Sequence, residues 1–363
     1  MKLLSIVGAR PQFVKLGVIC RAVADRRDTI THRIIHTGQH YDTNMSEVFF
    51  RELEIPHPDY ELEIGSGSHG VQTGAMLSAI EDVLKSNTPD WVIVYGDTNS
   101  TLAGALAAAK LNIQIAHVEA GLRSHNRRMP EEINRVVADH LSTLLLCPSD
   151  MAMKNLASEG LQARAVWTGD VMFDAVLHAL AAAETMGLPH VPQNLLETKF
   201  GLATIHRAEN TDDKDRLTAI VRALDRIARD VCPVYFAIHP RTRKAMVDAG
   251  CEPNHVVMGE PLPYLAMLKM LGQSRFVLTD SGGIQKEAYF LRVPCITLRN
   301  ETEWTETLHN RCNVLAGPSE DAILEAIGGL DDAGPWETLY GDGRAGPAVI
   351  DTLQAWTPSS KVS

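Results

Sequence analysis

Short apolar runs alternate with amphipathic stretches from one end of the chain to the other, and this alternation limits the fold more than any other feature. Runs of a few apolar residues have the length of buried strands, and the stretches between them repeat apolar residues with the helical period. Because parallel strands need a long crossover between them, this order of elements is typical of βαβ units. We therefore predict an α/β protein with mostly parallel sheets.

The predicted elements fall into two similar sets, one in each half of the 363 residues. Predicted strands lie at 2–7, 31–37, 91–95, 114–118, 144–147 and 163–168, and then at 201–205, 234–238, 255–258, 276–278 and 295–298. Predicted helices lie at 12–23, 71–84, 100–111, 131–141 and 151–159, and then at 216–229, 241–249, 264–271 and 283–290.

Two sets of this size predict two Rossmann-like domains, residues 1–170 and 171–345, although an eight-fold barrel is an alternative. The polar connection at 183–199 is interpreted as a linker between the domains or a surface loop. Ligands of such sheets bind beyond the carboxyl ends of the strands, so we expect the sites of both domains to face a cleft between them.

Composition excludes several classes of protein. Hydrophobic residues make up 45% and charged residues 22%, which is typical of a globular chain and not of a disordered one. The formal net charge of −11 argues against non-specific binding to nucleic acid or to a membrane surface. The six cysteines include no C-x-x-C pair, and no apolar run is long enough to cross a membrane. Without a signal peptide at the start of the chain, a cytoplasmic protein is expected.

Two glycine-containing turns are candidate anion sites. Gly8 to Pro11 follows the first predicted strand and brings Arg10 and Lys15 to the start of a helix. A tight turn with two surface cations is an equally good interpretation. The stretch 279–283 is a stronger candidate, because Ser281 can cap the following helix while Gly282 and Gly283 let a phosphate approach the backbone.

One turn into that second helix, Glu287 is placed to accept hydrogen bonds from both hydroxyls of a ribose. The alternative is an ordinary helix start followed by an exposed glutamate. The order of strand, glycine turn and acidic residue favours the nucleotide site.

Carboxylates follow two neighbouring strands and open the next helix. Asp97 follows the strand at 91–95, Glu119 follows the strand at 114–118, and Glu131 opens the helix at 131–141. Carboxylates crowded into one cleft raise each other's pKa, which suits proton transfer. Alternatively, Asp97 caps the helix that follows it, and Glu131 with Glu132 interacts with a helix dipole.

Histidines end two strands of the second half: His206 the first, and His239, followed by Arg241, the next. A histidine facing an anion pocket donates a charge-assisted hydrogen bond to a phosphate. Neither H-E-x-x-H nor a His/Cys set with metal spacing is present, so no catalytic metal is predicted. Nor is there a dinucleotide fingerprint, and we expect no cofactor.

Together these motifs resemble the non-hydrolysing UDP-N-acetylglucosamine 2-epimerases, which have a fold like that of the GT-B glycosyltransferases. The resemblance runs from residue 2 to about residue 353 and rests on several motifs in the same order. The matching segments are GARPQFVK at 8–15, GDT at 96–98, HVEAGLR at 117–123, PEEINR at 130–135 and TDSGGIQKE at 279–287.

The resemblance assigns roles to individual residues. It places the acid and base carboxylates at Asp97, Glu119 and Glu131, and an essential histidine at His206. It also implies a set that binds the UDP-sugar: Arg10, Lys15, Leu262, Met267, Ser281, Gly282, Gly283 and Glu287. Arg135, His239 and Arg241 complete the predicted substrate contacts.

Further expectations concern the architecture. Leu262 and Met267 belong to a loop at 261–267 that is expected to cover the uracil. A final helix at 346–357 is expected to rejoin the first domain. The resemblance also implies a homodimer and a role in polysaccharide biosynthesis.

The chemistry of inversion at carbon 2 favours elimination. The hydrogen on that carbon is not next to a carbonyl, so we expect UDP to leave, a glycal to form, and UDP to add back after protonation of the opposite face. Departures from the commonest family pattern, at 12–13, 38–46, 64–74 and 205–211, resemble a subgroup that includes enzymes for UDP-2,3-diacetamido-2,3-dideoxyglucuronate. That sugar is the alternative substrate. A GT-B glycosyltransferase and a hydrolysing epimerase are the alternative activities.

Overall fold

The computed structural model describes residues 1–39 and 55–356. The chain divides into two compact units. Unit 1 contains Met1–Ala175 together with the stretch that starts at Thr338, and unit 2 contains Val176–Glu337. Each unit is built around one parallel sheet with helices packed on it.

Unit 1 has a seven-stranded sheet in the order β3-β2-β1-β4-β5-β6-β7. All neighbouring strands in it are parallel. Its strands are β1 (Lys2–Val7), β2 (Thr31–His36), β3 (Tyr60–Glu61), β4 (Trp91–Tyr95), β5 (Gln114–Val118), β6 (Leu144–Cys147) and β7 (Ala165–Trp167). The helices up to the boundary are α1 (Arg10–Ala24), α2 (His69–Asn87), α3 (Asn99–Lys110), α4 (Pro130–Leu141), α5 (Asp150–Ser158) and α6 (Val171–Ala183).

Unit 2 has a six-stranded parallel sheet in the order β10-β9-β8-β11-β12-β13. Its strands are β8 (Gly201–Thr204), β9 (Val234–Ala237), β10 (Val257–Gly259), β11 (Phe276–Thr279), β12 (Cys295–Thr297) and β13 (Asn313–Leu315). The remaining helices are α7 (Gln193–Leu196), α8 (Ala208–Thr211), α9 (Lys214–Asp230), α10 (Pro240–Ala249), α11 (Tyr264–Gln273), α12 (Gly282–Phe290), α13 (Glu320–Gly328) and α14 (Ala345–Ala355). Short 3-10 helices lie at Gln162–Arg164, Thr305–Arg311 and Leu330–Asp332.

In both sheets the strand order reverses beside the first strand, between β1 and β4 and again between β8 and β11. This is the doubly wound arrangement, in which ligands bind beyond the strand ends at the point of reversal. The predicted α/β fold with two parallel sheets is confirmed. The eight-fold barrel is wrong, because the described strands form two open sheets.

Alternation along the strands explains how the sheet of unit 2 is covered on both faces. Phe236 packs in a cluster with Ile205 and Leu278, whereas its neighbour Tyr235 packs in a second cluster with Leu202. Successive side chains of a strand point to opposite faces, so both faces need apolar residues. This requirement explains why the strands read as unbroken apolar runs in the sequence.

The last helix belongs to unit 1. The carboxylate of Asp174 accepts the backbone N–H groups of Ala345 and Gly346 at 3.0 and 2.8 Å, which fixes the first turn of α14. Val349 and Ile350 are fully buried on the face that packs against α1. The helix starts one residue before the predicted segment and ends two residues before its end.

The stretch interpreted as a linker or surface loop, 183–199, lies inside unit 2. It contains α7, and its Val191 and Leu195 are buried in a core cluster. The linker interpretation is therefore wrong, because the stretch lies inside one unit. Most of its residues are exposed, as the surface-loop interpretation predicts, and the buried Val191 and Leu195 anchor it.

Two findings concern the cysteines and the membrane. All six cysteines are unpaired, and four of them are buried. Across residues 1–39 and 55–356, the helices lack the combination of length and apolar character needed to span a bilayer.

Candidate active site

Asp97 lies just beyond β4, at the point where the strand order of unit 1 reverses. Its carboxylate forms an ion pair with the guanidinium of Arg135 on α4. Thr98, not Asp97, caps α3, because the Thr98 side chain accepts the N–H of Thr101. The Asp97 carboxylate is therefore not used for helix capping.

The protonation of Asp97 is shifted by its surroundings. The side chain keeps 31% of its surface accessible, yet the protein atoms around it displace enough water that desolvation raises its pKa. The charges of Arg135 and Lys15 oppose this rise, and the nearby carboxylate of Glu119 adds to it. A raised pKa makes the carboxylate a stronger proton acceptor and brings its pKa closer to neutral pH, which favours general acid–base catalysis.

Glu119 follows β5 and forms a buried ion pair with Lys15 of α1. The Glu119 backbone has a φ of 69°, a left-handed conformation that non-glycine residues rarely adopt. A Cβ atom on Gly96 would lie 3.1 Å from Nζ of Lys15 and 3.2 Å from Oε2 of Glu119. Glycine at this position therefore leaves room for the ion pair beside the Asp97 turn.

The turn at 8–11 does not present the free backbone amides of an anion site. The side-chain oxygen of Gln12 accepts the N–H groups of Gly8 and Ala9 at 2.8 and 3.1 Å, and Pro11 has no N–H. Gln12 is held there because its own amide donates to the carbonyl of Tyr95. The amides of Gly8 and Ala9 are therefore occupied by the protein in this conformation, and an anion site at this turn stays a prediction. Arg10 begins α1, and its side chain lies outside the described part of the structure.

Glu131 and Glu132 lie side by side in the first turn of α4 but have different surroundings. Glu131 is exposed, and within the described residues it has no ion-pair partner. Glu132 is buried: it accepts the N–H groups of Ser124 and His125 and pairs with Arg135 at 3.1 Å. Burial favours a higher pKa for Glu132, but the hydrogen bonds from Ser124 and the charge of Arg135 lower it. Glu132 is a structural anchor, whereas Glu131 is free to meet a ligand.

In unit 2, His206 lies just beyond β8 and faces a buried carboxylate. Nδ1 of His206 lies 3.1 Å from Asp280, which also accepts the backbone N–H groups of His206 and Arg207. Burial favours a higher pKa for Asp280, but the hydrogen bonds and the charge of His206 outweigh it and lower this pKa. Asp280 thus orients the imidazole, whose other nitrogen has no protein partner among the described residues.

The N-terminus of α12 has the predicted form. Ser281 caps the helix by accepting the N–H of Ile284, and Gly282 and Gly283 form its first turn. A Cβ atom on Gly282 would collide with the carboxylate of Glu303, so a larger residue there would have to displace the Glu303 side chain. Glu287 is buried one turn into the helix, with 6% of its surface exposed.

The other predicted contacts of unit 2 already have roles in the structure. Nδ1 of His239 accepts the N–H of Arg241 and so caps α10, and the Arg241 guanidinium pairs with Asp212 at 2.7 Å. Leu262 precedes α11, whereas Met267 lies within it, so the predicted loop at 261–267 is shorter than expected. Both apolar side chains are partly buried against a core cluster.

Sequence reasoning missed several buried polar residues around Asp97. Asn134 donates to the carbonyl of Asp97 at 2.9 Å, and Asp139 accepts from His117 at 2.7 Å. Asp139 and Arg135 are four residues apart and lie on the buried face of α4. This spacing of polar residues along one face of an amphipathic helix could have indicated that they are buried together. Across the described residues, no group of three or more His, Cys, Asp or Glu side chains is placed to hold a metal ion.

Comparison with known proteins decides the family. Residues 22–354 match the family described as UDP-N-acetylglucosamine 2-epimerase. The chain belongs to this family. It is therefore related to isomerases, as expected from its motifs.

Relatives at high identity cover nearly all of the chain. The UDP-2,3-diacetamido-2,3-dideoxy-D-glucuronate 2-epimerase of Pseudomonas aeruginosa is 49% identical, over 97% of this chain and 99% of that protein. The UDP-GlcNAc 2-epimerase of Methanocaldococcus jannaschii, solved in complex with UDP-GlcNAc and UDP, is 42% identical with a TM-score of 0.85, over 98% of this chain and 99% of that one.

A more distant likeness concerns the fold alone. A lipopolysaccharide outer core galactosyltransferase in its apo form has a TM-score of 0.54 at 12% identity, over 97% of this chain and 95% of that one. The predicted GT-B-like fold is confirmed. Of the segments that departed from the commonest family pattern, residues 40–46 lie outside the described part of the chain.

Proposed function

We propose that this family member is a non-hydrolysing 2-epimerase of UDP-N-acetylglucosamine, or of a closely related UDP-linked 2-acetamido sugar. One observation carries the proposal: two carboxylates at neighbouring strand ends, Asp97 and Glu119, each pair with a cation. Inversion at a carbon needs a base on one face and an acid on the other, and this cluster supplies both kinds of group. The relatives named above support the UDP-sugar as the substrate class.

The reaction we propose is an elimination followed by a re-addition. A base takes the proton from carbon 2, the electrons of that C–H bond form the C1–C2 double bond, and the C1–O bond breaks to release UDP. Protonation of carbon 2 on the opposite face and return of UDP to carbon 1 give the epimer. Atoms balance over the cycle, because the proton and UDP that leave are both replaced.

In unit 1 the proposed acid and base come from Asp97, Glu119 and Glu131. Asp97 is suited to proton transfer by its raised pKa, and Glu131 by its exposed position at a helix start. Lys15 is proposed to hold Glu119 in place and Arg135 to hold Asp97, instead of contacting phosphate.

In unit 2 the proposed residues hold the nucleotide and stabilise the departing UDP. The N-terminus of α12 at Ser281, Gly282 and Gly283 favours a diphosphate through its backbone N–H groups and helix dipole. His206, oriented by Asp280, donates to the leaving oxygen, and Glu287 accepts from the ribose. We also retain Arg10, His239, Arg241, Leu262 and Met267 as proposed contacts; Arg241 must exchange its partner Asp212 for phosphate.

A second sugar is supported by one of the comparisons. The Pseudomonas aeruginosa relative, at 49% identity, is named for a diacetamido uronate sugar. UDP-2,3-diacetamido-2,3-dideoxyglucuronate is therefore the second candidate substrate. Both candidates share the acetamido group on the carbon that is inverted, so the same acid and base would serve either.

The test is incubation of the purified protein in D₂O with each UDP-sugar separately, followed by NMR. We expect an epimer with deuterium at carbon 2 for at least one sugar, without added metal, dinucleotide or acceptor. Free N-acetylmannosamine with UDP would instead indicate a hydrolysing epimerase. Turnover only after addition of a sugar acceptor would indicate a glycosyltransferase, and absence of exchange with both sugars would overturn the proposal.

A further inference from the structure

A buried histidine and aspartate lie beneath the two turns that carry Asp97 and Glu119. His117, on β5, and Asp139, on α4, are both fully buried. Nδ1 of His117 lies 2.7 Å from Oδ1 of Asp139, and Nε2 lies 2.7 Å from the carbonyl oxygen of Gly96. Gly96 is the residue immediately before Asp97, so the imidazole holds the backbone of that turn.

The other oxygen of Asp139 holds the second turn. Oδ2 accepts the N–H of Gly121 at 3.1 Å and a guanidinium N–H of Arg123 at 2.7 Å. Gly121 lies two residues after Glu119. One carboxylate therefore fixes the Glu119 turn directly and the Asp97 turn through His117.

Both turns need such support because their backbones are unusual. Gly96, Glu119 and Gly121 all have left-handed φ values of 59°, 69° and 83°. For glutamate this conformation is strained, and strained residues persist only where the surrounding structure holds them. The position of both carboxylates thus depends on the hydrogen bonds beneath them.

Both ring nitrogens of His117 are engaged by the protein, Nδ1 by a carboxylate oxygen and Nε2 by a carbonyl oxygen. The charged groups around the imidazole are Asp139 and, beyond it, Arg123, whose guanidinium also pairs with Glu159. Burial favours a higher pKa for Asp139, but the neighbouring charges and hydrogen bonds of His117 and Arg123 lower it.

We propose that His117 and Asp139 are positioning residues for the epimerase, which set the separation and orientation of the two carboxylates on Asp97 and Glu119. They act through the backbone and do not touch the substrate. This inference rests on the proposed function, because it concerns the geometry of the proposed acid and base. Displacement of a catalytic group by about 1 Å is enough to slow a reaction by roughly a hundredfold.

The test uses three single variants and one double variant. His117→Gln loses one of the two hydrogen bonds, and Asp139→Asn keeps the shape of the side chain but loses its charge. We expect both to lower kcat for deuterium exchange at carbon 2 by about ten- to a hundredfold, with KM and the thermal shift produced by UDP close to wild type. Because the pair acts as a unit, the double variant H117Q/D139N should be no slower than the slower single variant.

Glu159→Gln is the matched control. It removes the outer ion pair of Arg123 and leaves the contacts of His117, Gly96 and Gly121 in place. We expect its kcat to stay within about twofold of wild type. Wild-type kcat in both D139N and H117Q would overturn the proposal, and so would an equal loss in E159Q. If H117Q fails to fold, D139N decides the question alone; absence of exchange in the wild-type protein would refute the proposed function instead.

Discussion

Asp97 and Glu119, two neighbouring carboxylates of unit 1, each form an ion pair, but the two carboxylates differ in how deeply they are buried. Glu119 and Lys15 are both almost completely buried, with 7% and 8% of their side-chain surfaces exposed. Asp97 is partly accessible, and desolvation raises its pKa despite the charges of Arg135 and Lys15. Removal of the charge should therefore have opposite effects on stability at the two positions.

For Asp97→Asn we expect turnover to fall by about 10²–10⁴-fold, since an amide neither takes nor gives the proton. Stability at neutral pH should be equal to or above that of wild type. The sign follows from linkage: a carboxyl whose pKa is raised in the folded state contributes stability below its unfolded pKa and loses it as the pH rises through the folded pKa. Thermal melts between about pH 3 and pH 8 cover the range in which such carboxyl groups titrate. They should show that the difference in Tm between D97N and wild type becomes smaller as the pH falls.

For Glu119→Gln we expect a loss of roughly 3–5 kcal/mol in the free energy of unfolding, because Lys15 is left as a buried charge without its carboxylate partner. Urea titration at neutral pH measures it. Removal of both charges, in the double variant K15M/E119Q, should restore part of the stability. If E119Q were as stable as wild type, the ion pair between Lys15 and Glu119 would not contribute to the free energy of unfolding, and the prediction would be wrong.

At the scale of elements, glycines at two turns of unit 1 differ in what surrounds them. A Cβ atom on Gly121, with a φ of 83°, would lie 2.5 Å from the backbone carbonyl of Ala152 on α5. Gly160 has a similar φ of 75°, but nothing lies within 4 Å of the same position. A comparison of the two glycines therefore distinguishes the cost of a left-handed φ, which both share, from the cost of a clash with another backbone, which only Gly121 has.

We expect Gly160→Ala to destabilise by about 1–2 kcal/mol, the cost of a left-handed alanine. Gly121→Ala should cost a further 1–3 kcal/mol or so, since the new methyl group displaces α5 or the Glu119 turn. Chemical denaturation of the two variants measures the difference. In G121A the rate of carbon-2 exchange should also fall, whereas in G160A it should not; equal destabilisation of both would show that the contact with Ala152 relaxes without cost.

The elements were largely predictable because their apolar periodicity is local. Helix boundaries such as 214–230 came within two residues, since Asp213 caps a helix whose apolar face repeats clearly. The strands at 60–61 and 313–315 were missed because they are too short to show a pattern. α6 was missed because its many alanines leave no contrast between faces.

For the candidate site, the sequence predicts which residues follow the strands, but it does not predict which residues they pair with. The positions of Asp97, Glu119 and His206 after their strands follow from the alternation, but the partner of Glu119 is 104 residues away and leaves no mark in the local sequence. Likewise, the prediction of an anion site at the turn at 8–11 did not take into account that the Gln12 side chain accepts the N–H groups of Gly8 and Ala9. Contacts between distant residues are decided by packing, so these details came only from the structure.

At the scale of the whole molecule, the proposed function divides its tasks between the two units. The proposed acid and base, Asp97, Glu119 and Glu131, belong to unit 1. The proposed nucleotide contacts Ser281 and Glu287 belong to unit 2. Nucleotide binding and proton transfer should therefore be separable by substitution, although catalysis needs both.

UDP alone should raise the Tm of the wild-type protein, because a ligand that binds only the folded state stabilises it by about 2.7 kcal/mol at a hundred times its Kd. The same rise is expected in D97N, because its substitution lies in unit 1 and the proposed nucleotide contacts belong to unit 2. Glu287→Gln should reduce the rise, since the amide is a weaker acceptor for the ribose hydroxyls at a position with 6% exposure. Glu320→Gln, which breaks a surface pair with Arg226 in the same unit, is the control and should keep the full rise. If the rise disappeared in D97N and persisted in E287Q, the nucleotide would have to be assigned to the residues of unit 1, and the anion site at the start of α12 would be wrong.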